Sequence, residues 1–405
     1  MKIKSCRLCN SFKLTKLFSL GNLCFTGKFP LKKQKIKKKP IQVVLCKNCG
    51  LVQLGHNFDL KYLYGPDYGY RTGINKTMLN HVKLIVKKLS KLTNLNNKDL
   101  VLDIASNDGS LLNFYKKTTC TFGIDPILSK YKKNYKNINY KVGDFFSYEK
   151  IRKFTKKKFK IITALSVFYD AEKPDKFIKD VKKILSDDGV FVIEFADLAS
   201  ILKYKMFDTV CHEHLEYYSS EVIKNLCEKH SLKVFNIVQN DINGASKQYY
   251  ISHINSKYKV NYKHIYSVLK NERLQKLKDV KTYKKFMYSI DNSKKQLVKK
   301  LKTFVKKGKK IHCYGASTKG NVLLQYYGID NKIVEFAAER NKLKYNLFTP
   351  GSKIKIISEK LSRSLKPDYY LVLPWHFKNE ILAREKFIRK KGVKFIFPLP
   401  RLKII

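Results

Sequence analysis

Two groups of side chains in this 405-residue chain are spaced for chemistry. The first is Cys6-x2-Cys9 paired with Cys46-x2-Cys49, each knuckle followed by a small or polar turn residue, Asn10 and Gly50. Four thiolates of this kind suit a tetrahedral Zn2+ site that leaves no coordination position open, and is therefore structural. Such a site also explains how a segment with so little apolar core can fold. The gap of 36 residues between the knuckles is longer than in small zinc ribbons. The second group is Cys211, His212, Glu213 and His214 within FDTVCHEHLEYYS, Phe207 to Ser219. Two histidines one residue apart, with no third ligand evident, make a poor metal site. In an extended segment His212 and His214 would share a face and Glu213 would point away; in a loop any of them could converge. A neutral histidine is the natural proton acceptor near pH 7.

A third pattern is VLDIASNDGSLL, Val101 to Leu112. An apolar strand brings Asp103 to its carboxyl end. Ala105, Ser106, Asn107 and Gly109 then form a small turn that lets a ligand approach the backbone, ahead of a helix with an electropositive N-terminus. Asp125, 22 residues after Asp103, ends the next strand, where a carboxylate can accept both ribose hydroxyls. Asp144 ends the third, with Phe145 and Phe146 available beside an adenine ring. Nicotinamide cofactors and S-adenosylmethionine both use this geometry. The absence of GxGxxG, and Asp144–Phe145 at the third strand, favour S-adenosylmethionine. Further on, CYGASTKGN offers Ser317, Thr318 and Lys319 at the start of a helix, either a pyrophosphate cradle or a purely structural turn. Trp375 and His376 could line a nucleotide pocket or pack in a core.

The elements that must position these residues form an α/β pattern. Residues 1–75 are turn-rich and strand-prone, and we expect a zinc-binding N-terminal domain. A helix is expected over 76–97, with Met78, Leu79, Val82, Ile85, Val86 and Leu89 on one face. Strands Thr121–Ile124, Ile161–Val167 and Val190–Phe195 alternate with helical stretches such as Asp175–Gly189. That alternation predicts a parallel, Rossmann-like sheet over 76–255. Residues 256–308 lack glycine until Gly308 and read as a helical connector. A second α/β unit follows over 309–405.

Composition narrows the function classes. With 44% apolar and 13% aromatic residues the chain is globular, and no apolar run reaches the ~18–20 residues of a membrane span. No signal peptide is legible in MKIKSCRLCNSFKLTKLFSLG, so a cytoplasmic monomer without a membrane partner is expected. The formal charge of +52 raises a zinc-knuckle nucleic-acid binder as the rival reading. The excess is almost all lysine, dispersed over every segment, whereas nucleic-acid binders concentrate arginine on one face.

The chain resembles the zinc-containing, S-adenosylmethionine-dependent C-methyltransferases that act on dTDP-linked keto-deoxysugars. The resemblance runs in order through both CxxC knuckles, GLVQL, YGYRTG…MLNH, LDIASNDGSLL, FDTVCHEHLEYYS, YGASTKGN, FTPGS, LVLPW and a terminal PLP. It implies a zinc-binding domain, a central methyltransferase domain, and a C-terminal nucleotide-fold domain that helps hold a nucleotide-sugar. It further implies His214 as the base that removes a proton next to the ketone, and Glu213 as a contact to the sugar. His212 and Tyr70 are expected to help orient that sugar. The chain departs from the family pattern with Cys211 for tyrosine, Ser166 for asparagine, Asp170 for a substrate-side histidine, Ala105 for a glycine, and Asn243 and Ala245 in the HGGS-like stretch. Ser166 falls on the cofactor side; Cys211 and Asp170 fall on the substrate side.

Overall fold

The computed structural model describes residues 1–405 apart from Lys33, Pro66 and Asp67. At the N-terminus β1 (Leu14–Cys24), β2 (Lys38–Cys46) and β3 (Val52–Leu54) pair as an antiparallel meander. Its fourth strand, Glu216–Tyr217, comes from just beyond the HEH motif and pairs with β3. The unit is too small to bury its own apolar residues. Leu17, Leu23, Ile41 and Val43 therefore join one core with Val322, Leu324 and Ile356 of the C-terminal unit. On the other side, Cys6, Leu8 and Leu51 pack into the central core.

The central sheet contains β4 (Leu100–Ile104), β5 (Cys120–Ile124), β6 (Tyr140–Val142), β7 (Phe159–Leu165) and β8 (Leu185–Phe195). After β9 (Glu216–Tyr217) it is completed by β10 (Leu232–Asn240) and β11 (Ser246–His253). The order is β10-β11-β8-β7-β4-β5-β6, and β11 runs antiparallel to both of its neighbours. The order reverses between β4 and β7, where open α/β sheets offer a crevice at their carboxyl ends.

Several local expectations are corrected. The helix expected over 76–97 stops at Leu92, where Thr93 bonds back to the Leu89 carbonyl and Asn94 turns left-handed (φ 50°). The helix expected through Gly189 ends at Ile184, because Leu185, the first residue of β8, already pairs with Phe159 of β7. No α-helix follows the ASNDG turn; a single 3-10 turn, Leu112–Phe114, stands in its place. Ala105, Asn107 and Gly109 are all left-handed (φ 58°, 51° and 74°), and too few residues remain before β5 for a longer helix. The 256–308 segment is two helices with separate allegiances. Tyr262–Leu274 packs on β10, and Val280–Lys306 lies on β1 through Phe18 against Tyr283 and Phe286.

The C-terminal sheet holds β12 (Ile311–Tyr314), β13 (Phe336–Glu339), β14 (Lys355–Ser358), β15 (Tyr369–Val372), β16 (Lys394–Phe397) and β17 (Lys403–Ile404). Its order, β14-β13-β12-β15-β16-β17, is that of a doubly wound dinucleotide-type sheet, parallel except for β17. No helix among the described residues is long and apolar enough to cross a membrane.

Candidate active site

A cavity of about 700 Å³ opens at the carboxyl ends of β4, β5 and β7. Asp103, Ala105, Ser106, Asn107, Asp125, Asp144, Phe145, Ser166, Tyr70 and Asp170 all line it. Asp125 follows β5 directly and accepts from the backbone of Asn107 and Ile127, each at 2.8 Å. Burial pushes its carboxyl up to about 6 and that of Asp103 to about 7, although Thr163 donates to Asp103 at 2.6 Å. Asp144 sits at the rim, half exposed and paired with Lys150 at 2.6 Å. Gly109 does not reach the cavity: a Cβ there would meet Ile138 at 2.9 Å, so this glycine serves packing under the turn. The volume, the buried second-strand carboxylate and the left-handed Ala105, Asn107 and Ser166 fit S-adenosylmethionine.

Sequence reasoning missed a polar cluster on the same wall. His81 Nε2 meets Glu194 Oε1 at 2.8 Å, and Asn240 and Gln248 also bond this carboxylate. Only the MLNH stretch hinted at it, and the partners lie 113 and more residues away or on neighbouring strands.

The HEH segment is a turn that sends its side chains in different directions. His214 Nδ1 meets the Thr209 carbonyl at 2.6 Å, and its ring packs on Tyr169 with centroids 4.2 Å apart. Tyr169 is in turn hydrogen-bonded by Ser166 and precedes Asp170, so it links the cofactor cavity to His214. Burial, reinforced by the charge of Lys319, lowers His214 to about 3. Glu213 accepts from Gly27 N (3.0 Å), Thr26 Oγ1 (3.2 Å) and the Cys211 thiol, and burial raises its pKa. Asp170 takes a 2.6 Å hydrogen bond from Tyr64 on Oδ2, while Oδ1 is buried without a partner among the described residues. Burial and the nearby Glu213 raise Asp170 well above the usual carboxylate range.

Two side chains of this segment lie away from the cofactor cavity. His212 is fully buried between Phe25 and Phe58, with Nε2 on the Lys39 carbonyl at 3.1 Å. Cys211 is fully buried as well, and its thiol holds Glu213 instead of lining an open pocket. The 317–319 turn is held by bonds to the chain itself. Ser317 Oγ caps Gly320 N at 3.0 Å, and Lys319 Nζ donates to the Asn243 carbonyl at 3.1 Å. Thr318 lies near Gly27. Trp375 packs against Gly244 and donates to Asp208 at 2.8 Å, a core position.

At the N-terminus the four thiols of Cys6, Cys9, Cys46 and Cys49 lie within 4.8 Å of one another. Cys6–Cys49 and Cys9–Cys46 sulfur pairs are 3.6 and 3.5 Å apart, close to the ~3.8 Å expected around a tetrahedral zinc with ~2.3 Å bonds. Asn10 and Gly50, both left-handed, close each knuckle by donating to the Cys6 and Cys46 carbonyls. Gln53 Nε2 donates to Cys6 Sγ at 3.2 Å, as a support for thiolate charge. The donor set fits Zn2+, which would close the knuckles without opening a catalytic position.

Residues 6–64 match the family described as "Putative zinc binding domain", 76–236 the "Methyltransferase domain", and 241–400 the "C-methyltransferase C-terminal domain". The chain is 26% identical over 409 residues to C-methyltransferase NovU of Streptomyces niveus, covering 100% of this chain and 97% of that protein. Similar solved structures include an S-adenosylmethionine-dependent methyltransferase from Clostridium acetobutylicum ATCC 824, 15% identical over 42% of this chain and 90% of that one, with a TM-score of 0.34. Another is magnesium protoporphyrin IX methyltransferase from Synechocystis PCC 6803 with bound S-adenosylmethionine, 12% identical over 48% of this chain and 89% of that one, with a TM-score of 0.33. The three matches follow one another in order along the chain, from a zinc-binding N-terminus to a C-methyltransferase C-terminal domain, and with the full-length relative they mark the chain as an S-adenosylmethionine-dependent methyltransferase.

Proposed function

We propose that the protein methylates the carbon next to the ketone of a nucleotide-linked keto-deoxysugar through an enolate. His214 carries this reading. A carbonyl oxygen only accepts, so the 2.6 Å contact to Thr209 puts the ring proton on Nδ1 and leaves the Nε2 lone pair as the base. Its lowered pKa keeps the imidazole neutral at physiological pH. Removing the proton next to the ketone creates negative charge beside the new imidazolium, which raises the proton affinity of His214 in the loaded site. Lys319, close enough to depress His214, is placed to offset the same enolate charge. Bound S-adenosylmethionine supplies an electrophilic methyl group. Glu213 and Asp170, both pushed toward the neutral acid, can exchange hydrogen bonds with sugar hydroxyls. The name of the full-length relative NovU supports carbon as the acceptor, and the motif resemblance supports the nucleotide-sugar.

The test is incubation of nucleotide-linked keto-sugars with a labelled methyl donor, read by mass spectrometry, alongside His214→Ala. The variant should lose both methyl transfer and exchange of the substrate proton with deuterated water, while keeping cofactor affinity. Wild-type exchange in His214→Ala would remove this residue as the base.

A further inference from the structure

A second cavity, of about 710 Å³, lies between the central and C-terminal units. Six of its lining residues are cations: Arg71, Lys130, Lys132, Lys133, Arg340 and Lys342. No carboxylate lines it among the described residues. In a chain where acids number 32 against 84 lysines and arginines, an all-basic lining has some chance of arising by dispersal. The arginines argue otherwise. The chain has few of them, and two from distant segments face this one groove.

Both arginines are held in place. Arg71 Nε is fixed by Asp108 at 3.1 Å and its guanidinium lies over the Tyr131 ring at 5.5 Å. Arg340 is steered by Glu380 at 3.7 Å. Their remaining N–H donors form the planar fork that matches phosphate oxygens. Lys132, Lys133 and Lys342 make no ion pair among the described residues, so their charge is available to a ligand.

The groove also lies where a long substrate would extend. Arg340 and Lys342 follow β13, and the 315–319 turn follows β12, so both belong to the carboxyl edge of the C-terminal sheet. Lys344 Nζ joins the two loops by donating to the Ala316 carbonyl at 2.8 Å. On the opposite wall, Tyr70 lines the cofactor cavity while its neighbour Arg71 lines the groove. The two spaces therefore share one strand of backbone, pinned by Asn107 Nδ2 on the Tyr70 carbonyl and Asn341 Nδ2 on the Gly69 carbonyl.

We propose that this groove binds a diphosphate group, and that it, in place of the 317–319 turn, holds the diphosphate of the substrate. The second half rests on the nucleotide-sugar reading above; the first does not. A single-stranded nucleic acid fits less well, since such grooves interleave cations with exposed stacking rings. The one aromatic residue lining this groove among the described residues, Tyr131, is buried beneath Arg71.

Calorimetry with inorganic pyrophosphate, uridine diphosphate and thymidine diphosphate tests the proposal on the full chain. The variants are Arg340→Ala/Lys342→Ala and Lys132→Ala/Lys133→Ala, with Lys299→Ala/Lys302→Ala on the exposed face of the 280–306 helix as a charge-matched control. Affinity for all three probes should fall about tenfold or more in both groove variants, as expected for lost charge-assisted bonds, and hold in the control. S-adenosylmethionine affinity should be unchanged throughout. Equal losses in the control, or no loss in either groove variant, would overturn the site. So would a short single-stranded RNA that binds more tightly than pyrophosphate and is lost in the same variants. Stronger binding of the nucleoside diphosphates than of pyrophosphate identifies a nucleotide as the source. If pyrophosphate binds here but no nucleotide keto-sugar is methylated, the groove stands and the substrate reading falls. If a nucleotide keto-sugar is methylated with the same KM by wild type and Arg340→Ala/Lys342→Ala, the groove fails as the substrate subsite and the substrate reading stands.

Discussion

Arg7 and Glu216 lie 3.6 Å apart with both side chains buried, joining the residue after Cys6 to a residue just past His214. Arg7 Nη1 also donates to the Leu54 carbonyl at 2.7 Å, and Nη2 to the His56 carbonyl at 2.8 Å. Leu54 ends β3, the strand that pairs with Glu216–Tyr217, and His56 lies two residues beyond it. The cysteine cluster, β3 and the turn carrying Glu213 and His214 are thus one continuous piece of structure. This gives a closed metal site a way to matter for chemistry without touching substrate.

Arg7→Met should be far more damaging than Glu216→Gln. Losing Arg7 leaves buried carbonyls without donors, at roughly 1–3 kcal/mol each, so a loss on the order of 3 kcal/mol is expected. Burial already pushes the Glu216 carboxyl well up despite the opposing Arg7 charge, and neither of its oxygens accepts a hydrogen bond among the described residues. An uncharged glutamine therefore costs less. Thermal unfolding of the two variants checks the order, and equal losses would show that the charge pair itself dominates.

Removing the metal should unhook the turn that carries His214 and leave the cofactor sheet intact. Cys46→Ser is expected to purify with less than one zinc per chain and to lose substrate proton exchange. Its S-adenosylmethionine affinity should persist, because the cavity is built on β4, β5 and β7. Metal analysis, exchange into deuterated water and calorimetry read the three quantities separately. Parallel loss of cofactor binding would contradict this division.

How legible each part was follows from how local its causes are. The knuckles could be read because a CxxC turn sets its own geometry within a few residues. Asp125 could be read because a strand end fixes where its carboxylate goes. His212 could not: its surroundings come from Phe25, Phe58 and Lys39, more than 150 residues away, so the residues next to it in sequence do not reveal its burial. The helix expected after the ASNDG turn failed because left-handed residues and a short span to β5 overrode helix-like periodicity. The basic groove was invisible because its cations come from three segments that only the fold brings together.

Cofactor affinity should fall as pH drops through about 6. Burial raises Asp125 from 3.8 to about 6, so below that pH it loses the carboxylate proposed to accept the ribose hydroxyls. The sign for folding is opposite. A raised carboxyl contributes stability that is complete below 3.8 and lost as pH rises through about 6, so the ligand-free protein carries this strain at neutral pH. Asp125→Asn should weaken binding at pH 7.5 by roughly 1.5–3 kcal/mol and flatten the pH dependence. Calorimetry across pH 5–8 measures both, and an unchanged slope in the variant would place the titrating group elsewhere, with Asp103, raised to about 7, the next to examine.

Gly27→Ala should impair turnover and leave the cofactor side untouched. Gly27 N donates to Glu213 Oε1 at 3.0 Å, and a Cβ on residue 27 would stand 2.7 Å from the same oxygen. The backbone there is not left-handed, so alanine fits the chain and acts only by pushing the carboxyl. Glu213 is fixed by Thr26 and Cys211 as well, so it cannot swing aside without breaking bonds. We expect kcat/KM to fall about tenfold or more with S-adenosylmethionine affinity unchanged. Glu213→Asp withdraws the carboxyl by one methylene and should also lose activity. In Gly27→Ala/Glu213→Asp, however, the shorter acid clears the new methyl, so the double variant should be no worse than Glu213→Asp alone. Strictly additive losses, or wild-type kcat/KM in Gly27→Ala, would show that the position of Glu213 does not set turnover.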